Sequence, residues 1–238
     1  MLQAENLTKR YGAHLALDSL NLTIPPGEVY CLLGSNGAGK STTLNIFLGF
    51  MPASSGRALI DGLEVAVNNH ATRALVAYIP EIVNLYPTLT GLENLAFFSG
   101  LSGFSYSRAE LAGFTRTAGL QAGALDQRVG GYSKGMRQKV GIAIALAKQA
   151  KVLFLDEPTS GLDPHASNEF AQVIRQLSGQ GVCTLMATHD LLMAKNLGHR
   201  IGIMHQGRLR QELRADQVAY AELTDRYLAT VNETTPGA

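Results

Sequence analysis

Gly34-Ser35-Asn36-Gly37-Ala38-Gly39-Lys40-Ser41 follows directly on the apolar run Val29-Tyr30-Cys31-Leu32-Leu33. An apolar strand, a glycine loop, Lys-Ser and a helix in that order answer one physical problem, that of holding a multiply charged phosphate chain. The glycines let the backbone curl without Cβ clashes, so that successive N–H groups point inward at an anion. The helix that follows adds the positive end of its dipole. Lys40 brings a full charge to the outer phosphates, and Ser41 offers a hydroxyl to an accompanying Mg2+. Gly34, Ser35, Asn36, Gly37, Ala38, Gly39, Lys40, Ser41 and the next residue, Thr42, are the candidate nucleotide contacts, and Ser41 is also a candidate metal ligand. The stretch predicts binding of a nucleoside triphosphate.

The chain of 238 residues is long enough for one large α/β domain, or for a core with a smaller attached lobe. At 46% hydrophobic and 16% charged residues it has a globular composition. Twenty Lys+Arg against nineteen Asp+Glu leave no field that favours nucleic acid, so no nucleic-acid partner is expected. Cys31 and Cys183 both lie in apolar runs and read as small core residues, with no disulfide or zinc framework on offer. The first ten residues lack the apolar core of a signal peptide. The longest purely apolar stretches, such as 142–147, fall far short of the ~20 residues of a membrane helix. A chain soluble by itself is expected, with any membrane role supplied through a partner.

Around the phosphate loop, residues 2–24 alternate apolar and polar side chains with a turn at Tyr11-Gly12, which predicts antiparallel strands. A strand pair is predicted at 57–60 and 63–67, hinged at Asp61-Gly62, and another strand at 75–79, stopped by Pro80. Thr90-x-x-Glu93 and Ser107-x-x-Glu110 are capping-box patterns that open helices predicted over 92–101 and 108–120. No strand intervenes, so residues 86–139 read as a helical insertion into a core formed by 1–85 and 140–213, with a helical tail over 214–238, frayed from Thr234. The core resumes with a strand at 152–155, a helix that Asp163 caps and Pro164 starts, a strand at 183–187, and a hairpin over 200–212 turning at Gln206-Gly207.

Leu153-Phe154-Leu155-Asp156-Glu157 is an apolar strand ending in two adjacent carboxylates. Charges appear where the C-terminal edge of a buried parallel strand opens to the ligand crevice. Asp156 is placed to hold Mg2+, directly or through water, and Glu157 to orient and deprotonate the water that attacks a γ-phosphate. Tyr132-Ser133-Lys134-Gly135-Met136-Arg137-Gln138 precedes an apolar helical run at 140–147. Taken alone it is a helix start capped by Ser133. The same helix end could also serve as a second phosphate site, with Ser133, the Gly135 N–H and the dipole facing an anion.

Phosphate loop, helical insertion, Ser-x-Gly helix start and Leu-Asp-Glu-Pro strand stand in the order of the ATP-binding cassette (ABC) ATPases, which the chain resembles from Tyr11 to about Gln211. Ser160-Gly161-Leu162-Asp163 resembles that family's D-loop, and Thr188-His189-Asp190 its switch histidine. The resemblance implies a P-loop NTPase core of the α/β class, with a mostly parallel sheet, an N-terminal antiparallel β subdomain and an inserted α-helical subdomain. It implies ATP with Mg2+ as the bound species, Tyr11 stacked on adenine, Asp163 at a dimer contact, His189 on the γ-phosphate, and Lys40, Glu157 and His189 as the catalytic groups. The other five histidines, His14, His70, His165, His199 and His205, are expected to be structural.

Two departures stand out. Tyr132-Ser133-Lys134-Gly135-Met136 replaces the usual Leu-Ser-Gly-Gly-Gln, keeping Ser133 and Gly135 and adding the positive charge of Lys134; this variant resembles ATPase subunits of ABC-2 export permeases. Glu81, in Tyr78-Ile79-Pro80-Glu81, stands where the Q-loop normally has Gln. An ionised carboxylate accepts but does not donate, so Glu81 could bind the metal or its water but not donate to the γ-phosphate.

One copy has a phosphate loop and a Ser-x-Gly helix start that do not complete each other. Two copies placed head to tail would close ATP between Lys40 of one and Ser133 of the other. The expected protein is the ATPase subunit of an ABC transporter, an exporter, at the cytoplasmic face of the membrane. Its dimers close with ATP and open after hydrolysis, and its partners are a second ATPase subunit, identical or different, and membrane-embedded permease subunits. The rival reading is a soluble ABC ATPase in assembly, repair or translation; such proteins often carry tandem cassettes, coiled-coil arms or metal clusters. A second rival, a non-hydrolysing ATP sensor, is disfavoured by the presence of both Asp156 and Glu157.

Overall fold

The computed structural model describes residues 1–232. The chain begins with a hairpin of β1 (Leu2–Tyr11) and β2 (His14–Ile24), followed by β3 (Val29–Leu33), α1 (Lys40–Phe47), β4 (Ser55–Ile60), the short β5 (Leu63–Glu64), α2 (Asn69–Leu75) and β6 (Val76–Ile79). Three helices come next, α3 (Gly91–Leu101), α4 (Arg108–Thr117) and α5 (Lys134–Ala147). The second half runs β7 (Val152–Asp156), α6 (Pro164–Gly179), β8 (Cys183–Thr188), α7 (Leu191–Leu197), β9 (Arg200–His205), β10 (Arg208–Arg214) and α8 (Tyr220–Asn232).

These strands make two sheets. The antiparallel one has the order β2-β1-β4-β5, and the larger one the order β10-β9-β3-β8-β7-β6. All neighbours in the larger sheet are parallel except the β9–β10 hairpin. That hairpin turns on Gln206 and Gly207, at φ 48° and 76°, the two positive values that a tight primed turn requires.

β3 shows why the central strands read as unbroken apolar runs: every residue from Val29 to Leu33 is buried. Val29, Cys31 and Leu33 face a core shared with α3, α5, α6 and α7, whereas Tyr30 and Leu32 face a second core shared with α1 and the antiparallel sheet. α1 is therefore clamped between two sheets, with Phe47 stacked on Phe154 at 5.8 Å between ring centroids. That fixes the helix whose first turn carries Lys40 and Ser41. Cys31 and Cys183 are buried and free, and burial pushes the Cys183 thiol up to about 11, as inert core cysteines require.

Both expected capping boxes are present, with Thr90 accepting from Glu93 N–H and Ser107 from Glu110 N–H. The helical lobe has its own small core of Leu120, Ala124, Val129, Tyr132 and Val140. α5 starts in the lobe at Lys134 and continues to Ala147, so one helix runs from the lobe into the main core across residue 139. Three expectations are adjusted. β5 stops at Glu64 rather than running to 67, since the N–H groups of Val67 and Asn68 turn back onto the Glu64 carbonyl. α4 ends at Thr117, where Gly119 takes a φ of 79°. The helices α2 and α7 add to the elements that the sequence predicts. The expected fraying from Thr234 lies outside the described residues. Among the described residues, no helix is long and apolar enough to cross a membrane.

Candidate nucleotide site

The phosphate loop leaves the buried end of β3 and enters α1 through glycines with distinct jobs. Gly37 and Gly39 have φ of 80° and 107°, conformations that L side chains rarely adopt. Gly34 lies so close to β9 that a Cβ there would come within 2.6 Å of the Met204 carbonyl oxygen. The result is a cleft of about 370 Å³ running from Tyr11 and His14, past Ser35, Gly37 and Ser41, to Glu81, Asp156 and Glu157. Asn36, Gly39, Lys40 and Thr42 line the same cleft. Gly34 and Ala38 support it from behind, Gly34 by accepting a hydrogen bond from Lys40 Nζ (2.6 Å) and Ala38 by accepting one from Gly207 N–H (2.9 Å).

Lys40 is buried, and the loss of water lowers its pKa, an effect that the nearby Glu157 and Asp156 oppose. Its Nζ stands 3.6 Å from Glu157 Oε1. Glu157 is one of the few non-glycine residues with positive φ, at 45°. Such a conformation costs energy and persists when surrounding contacts impose it. Here its N–H donates to Ala187 O, and Oε2 accepts from Thr188 Oγ1 (3.1 Å) and from His189 N–H (3.3 Å). His189 Nδ1 lies 2.9 Å from Oε1. The Thr188-His189-Asp190 turn is set by Asp190, which caps α7 by accepting from Met193 N–H at 3.0 Å.

Asp156 ends β7 beside the loop, and Ser41 Oγ lies 3.5 Å from its Oδ1. Burial, then the charge of Glu157, raises the Asp156 pKa, so its ionised form is short of a cation. Among the described residues there is no cluster of three His, Cys, Asp or Glu groups that could hold a metal. Two protein oxygens with the rest supplied by phosphate and water are what Mg2+ accepts, so Ser41 and Asp156 fit that ion. Tyr78, whose position near the metal site the sequence does not signal, sits next to Asp156; burial first, and that carboxylate second, push its hydroxyl up to about 12.

Tyr11 is half-exposed at the mouth, its hydroxyl donating to Met51 Sδ at 2.8 Å and Lys9 Nζ lying 5.2 Å from its ring centroid. His14 shares that wall, a neighbour that its sequence context did not reveal. His199 is structural, its Nδ1 accepting from Val29 N–H at 2.9 Å. Glu81 lines the cleft, but Ser160 Oγ donates to its Oε1 at 2.9 Å and Lys134 Nζ stands 3.8 Å away.

Ser133 and Gly135 are not in this cleft. Ser133 caps α5, its Oγ accepting from Met136 N–H at 3.2 Å. A Cβ on Gly135 would meet Ala166 Cβ at 3.6 Å, Leu162 Cδ2 at 3.7 Å and Ser133 Oγ at 3.9 Å, all ordinary contacts. Nothing in its own chain requires glycine there.

A phosphate loop between two sheets, a carboxylate pair at the end of β7 and a separate capped helix head together define an ATP-binding cassette. The family profile described as "ABC transporter" matches residues 17–160, and the chain belongs to that family. It is 34% identical over 211 residues to the linearmycin resistance ATP-binding protein LnrL of Bacillus subtilis (strain 168), covering 88% of this chain and 68% of LnrL. It is 35% identical over 217 residues to the lantibiotic transport ATP-binding protein SrtF of Streptococcus pyogenes, covering 91% of this chain and 92% of SrtF. Among solved structures, an ATP-binding subunit of an ABC transporter superposes with a TM-score of 0.83 at 30% identity, covering 96% of this chain and 99% of that one. The dimeric bacterial cassette MJ0796 superposes with a TM-score of 0.81 at 28% identity, covering 90% and 99%. A post-hydrolysis dimer of MJ0796 bound to ADP and Pi gives 0.80 at 28% identity, covering the same 90% and 99%.

Proposed function

We propose that this chain is the ATP-hydrolysing subunit of an ABC exporter, pairing head to tail with a second ATPase subunit around two ATP and Mg2+ sites. It works at the cytoplasmic face of a membrane, held there by permease subunits. One observation carries the reading: Ser133 and Gly135 present a helix head with a glycine that their own chain does not need, away from their own phosphate loop. A second copy supplies the missing use. The dimeric cassettes of the family support the same arrangement. Export is supported by relatives named for linearmycin resistance, lantibiotic transport and daunorubicin/doxorubicin resistance.

Within each site, Gly34 to Thr42 wrap the phosphates and Tyr11 offers a ring to adenine. Lys40 leaves the Gly34 carbonyl for the γ-phosphate. Glu157 takes the proton of the attacking water, with Thr188 and His189 fixing its two oxygens. Ser41 and Asp156 would hold Mg2+, with Glu81 a third candidate; when bound, the ion neutralises charge on the phosphate oxygens. Purifying the chain with its membrane partners and measuring phosphate release tests the reading. A stoichiometric complex containing a permease is expected; a complex with no membrane protein in it contradicts it.

A further inference from the structure

Three loops from distant parts of the chain meet at Glu81. Its carboxylate accepts from Ser160 Oγ at 2.9 Å, and Lys134 Nζ stands 3.8 Å from the same oxygen. The Lys134 ammonium lies against the turn after Ser160, since a Cβ on Gly161 would be 3.9 Å from it. Behind the carboxylate, the fully buried Gln138 of α5 donates through Nε2 to the carbonyls of Pro80 (3.4 Å) and Glu81 (3.3 Å). The backbone after β6 is thus bolted to α5 one turn beyond Lys134. The Lys134–Glu81 pair is looser, with the Glu81 side chain 52% exposed and Lys134 33%.

Lys134 lies between Ser133 and Gly135, on the helix head assigned above to the partner's nucleotide. It therefore has two anions within its range of use, the carboxylate of its own chain and the phosphates held by the partner. We propose that Lys134 is a shuttling cation: it pairs with Glu81 in the open subunit and transfers to the partner's nucleotide on closure, so that breaking the Lys134–Glu81 pair is a built-in step of ATP-driven dimerisation. The inference rests on the head-to-tail reading. An open, half-solvated pair holds back an equilibrium by only about two- to fivefold. A triphosphate carries several negative charges at the positive end of α5, which gives it the advantage over a single carboxylate. Ser160 keeps Glu81 hydrogen-bonded after Lys134 leaves, so the carboxylate is not stranded.

Glutamine at position 81 still accepts from Ser160 but does not hold a cation by charge, so Glu81→Gln removes the ion pair. The Lys134→Met background separates that loss from any change in the nucleotide cleft that Glu81 also lines. The test uses the full chain carrying Glu157→Gln, so that ATP is bound and not consumed, and reads the ATP concentration at half-dimerisation by light scattering. Adding Glu81→Gln is expected to lower that midpoint by about two- to fivefold per site. Lys134→Met is expected to raise it, and in the Lys134→Met background Glu81→Gln should have no further effect. An unchanged or raised midpoint for Glu81→Gln overturns the shuttle, as does an equal shift with and without Lys134. If the parent chain does not dimerise with ATP at all, the head-to-tail reading falls, and the shuttle with it. Both side chains are at the surface, and matching melting curves verify that each variant is folded.

Discussion

Lys40 and Glu157 face each other at the edge of the phosphate loop, with Nζ 3.6 Å from Oε1. In the proposed mechanism these are the groups assigned to the γ-phosphate and to its attacking water, so the pair couples the two roles. Lys40 also donates to the Gly34 and Ser35 carbonyls, at 2.6 and 3.2 Å, partners that the proposed mechanism has it exchange for phosphate.

Removing the cation should disable the site. Lys40→Ala is expected to lose ~10²–10³-fold or more in kcat, the scale of one preorganised electrostatic contact. Steady-state phosphate release measures it, and near-normal turnover would mean that the loop does not hold the triphosphate.

Glu157→Gln keeps the shape of the side chain and removes the proposed base. It should bind ATP with little change, hydrolyse it on the order of 10²–10⁴-fold more slowly, and accumulate closed dimers. His189→Ala acts through the same carboxylate, which it meets at 2.9 Å. It should lower kcat with a much smaller effect on KM for ATP. Turnover equal to the parent in either variant removes that residue from the chemistry.

Asp156 illustrates a conflict between stability and function. Its folded-state pKa is raised, first by burial and then by Glu157. The contribution to stability is thus present at acidic pH, below the unfolded carboxylate value of about 3.9, and is lost as pH rises through the folded value. At neutral pH the ionised group is a burden on the nucleotide-free fold. Asp156→Asn should therefore raise the melting temperature of the nucleotide-free chain by roughly 1–3 °C at pH 7. It should also abolish the extra stabilisation that Mg2+ adds to ATP. Differential scanning fluorimetry with ATP, with and without Mg2+, reads both effects.

Gly135→Ala separates folding from assembly. A Cβ there meets neighbours in its own chain at no less than 3.6 Å, so melting and ATP binding should match the parent. ATP-driven dimerisation should weaken by about tenfold or more, because the Cβ would intrude on the partner's phosphate. Loss of folding in this variant would show that glycine serves its own chain.

Features governed by neighbouring residues were legible in the sequence. The phosphate loop, the two capping boxes and the Asp163-Pro164 helix start all depend on residues a few positions apart. α2 leaves little trace in the sequence because Asn68 precedes it without making a side-chain cap, and it spans only seven residues. α7 is equally short, and its capping residue, Asp190, belongs to the Thr188-His189-Asp190 motif, whose pattern points to chemistry as readily as to a helix start. The strand order β10-β9-β3-β8-β7-β6 is set by crossovers that no periodicity records. The same holds for Ser160 and Glu81, 79 residues apart in sequence and 2.9 Å apart in space, and for Tyr78 beside Asp156.

The most direct test of nucleotide shared between two copies is complementation. Lys40→Ala and Ser133→Ala chains, each inactive alone, are mixed and assayed for phosphate release. A mixed dimer puts both defects in one site and leaves the other with intact Lys40 and Ser133. Activity should return to roughly a quarter of the parent, since half of randomly formed dimers are mixed and each has one working site. A mixture that stays at the average of its two inactive components would contradict the shared site.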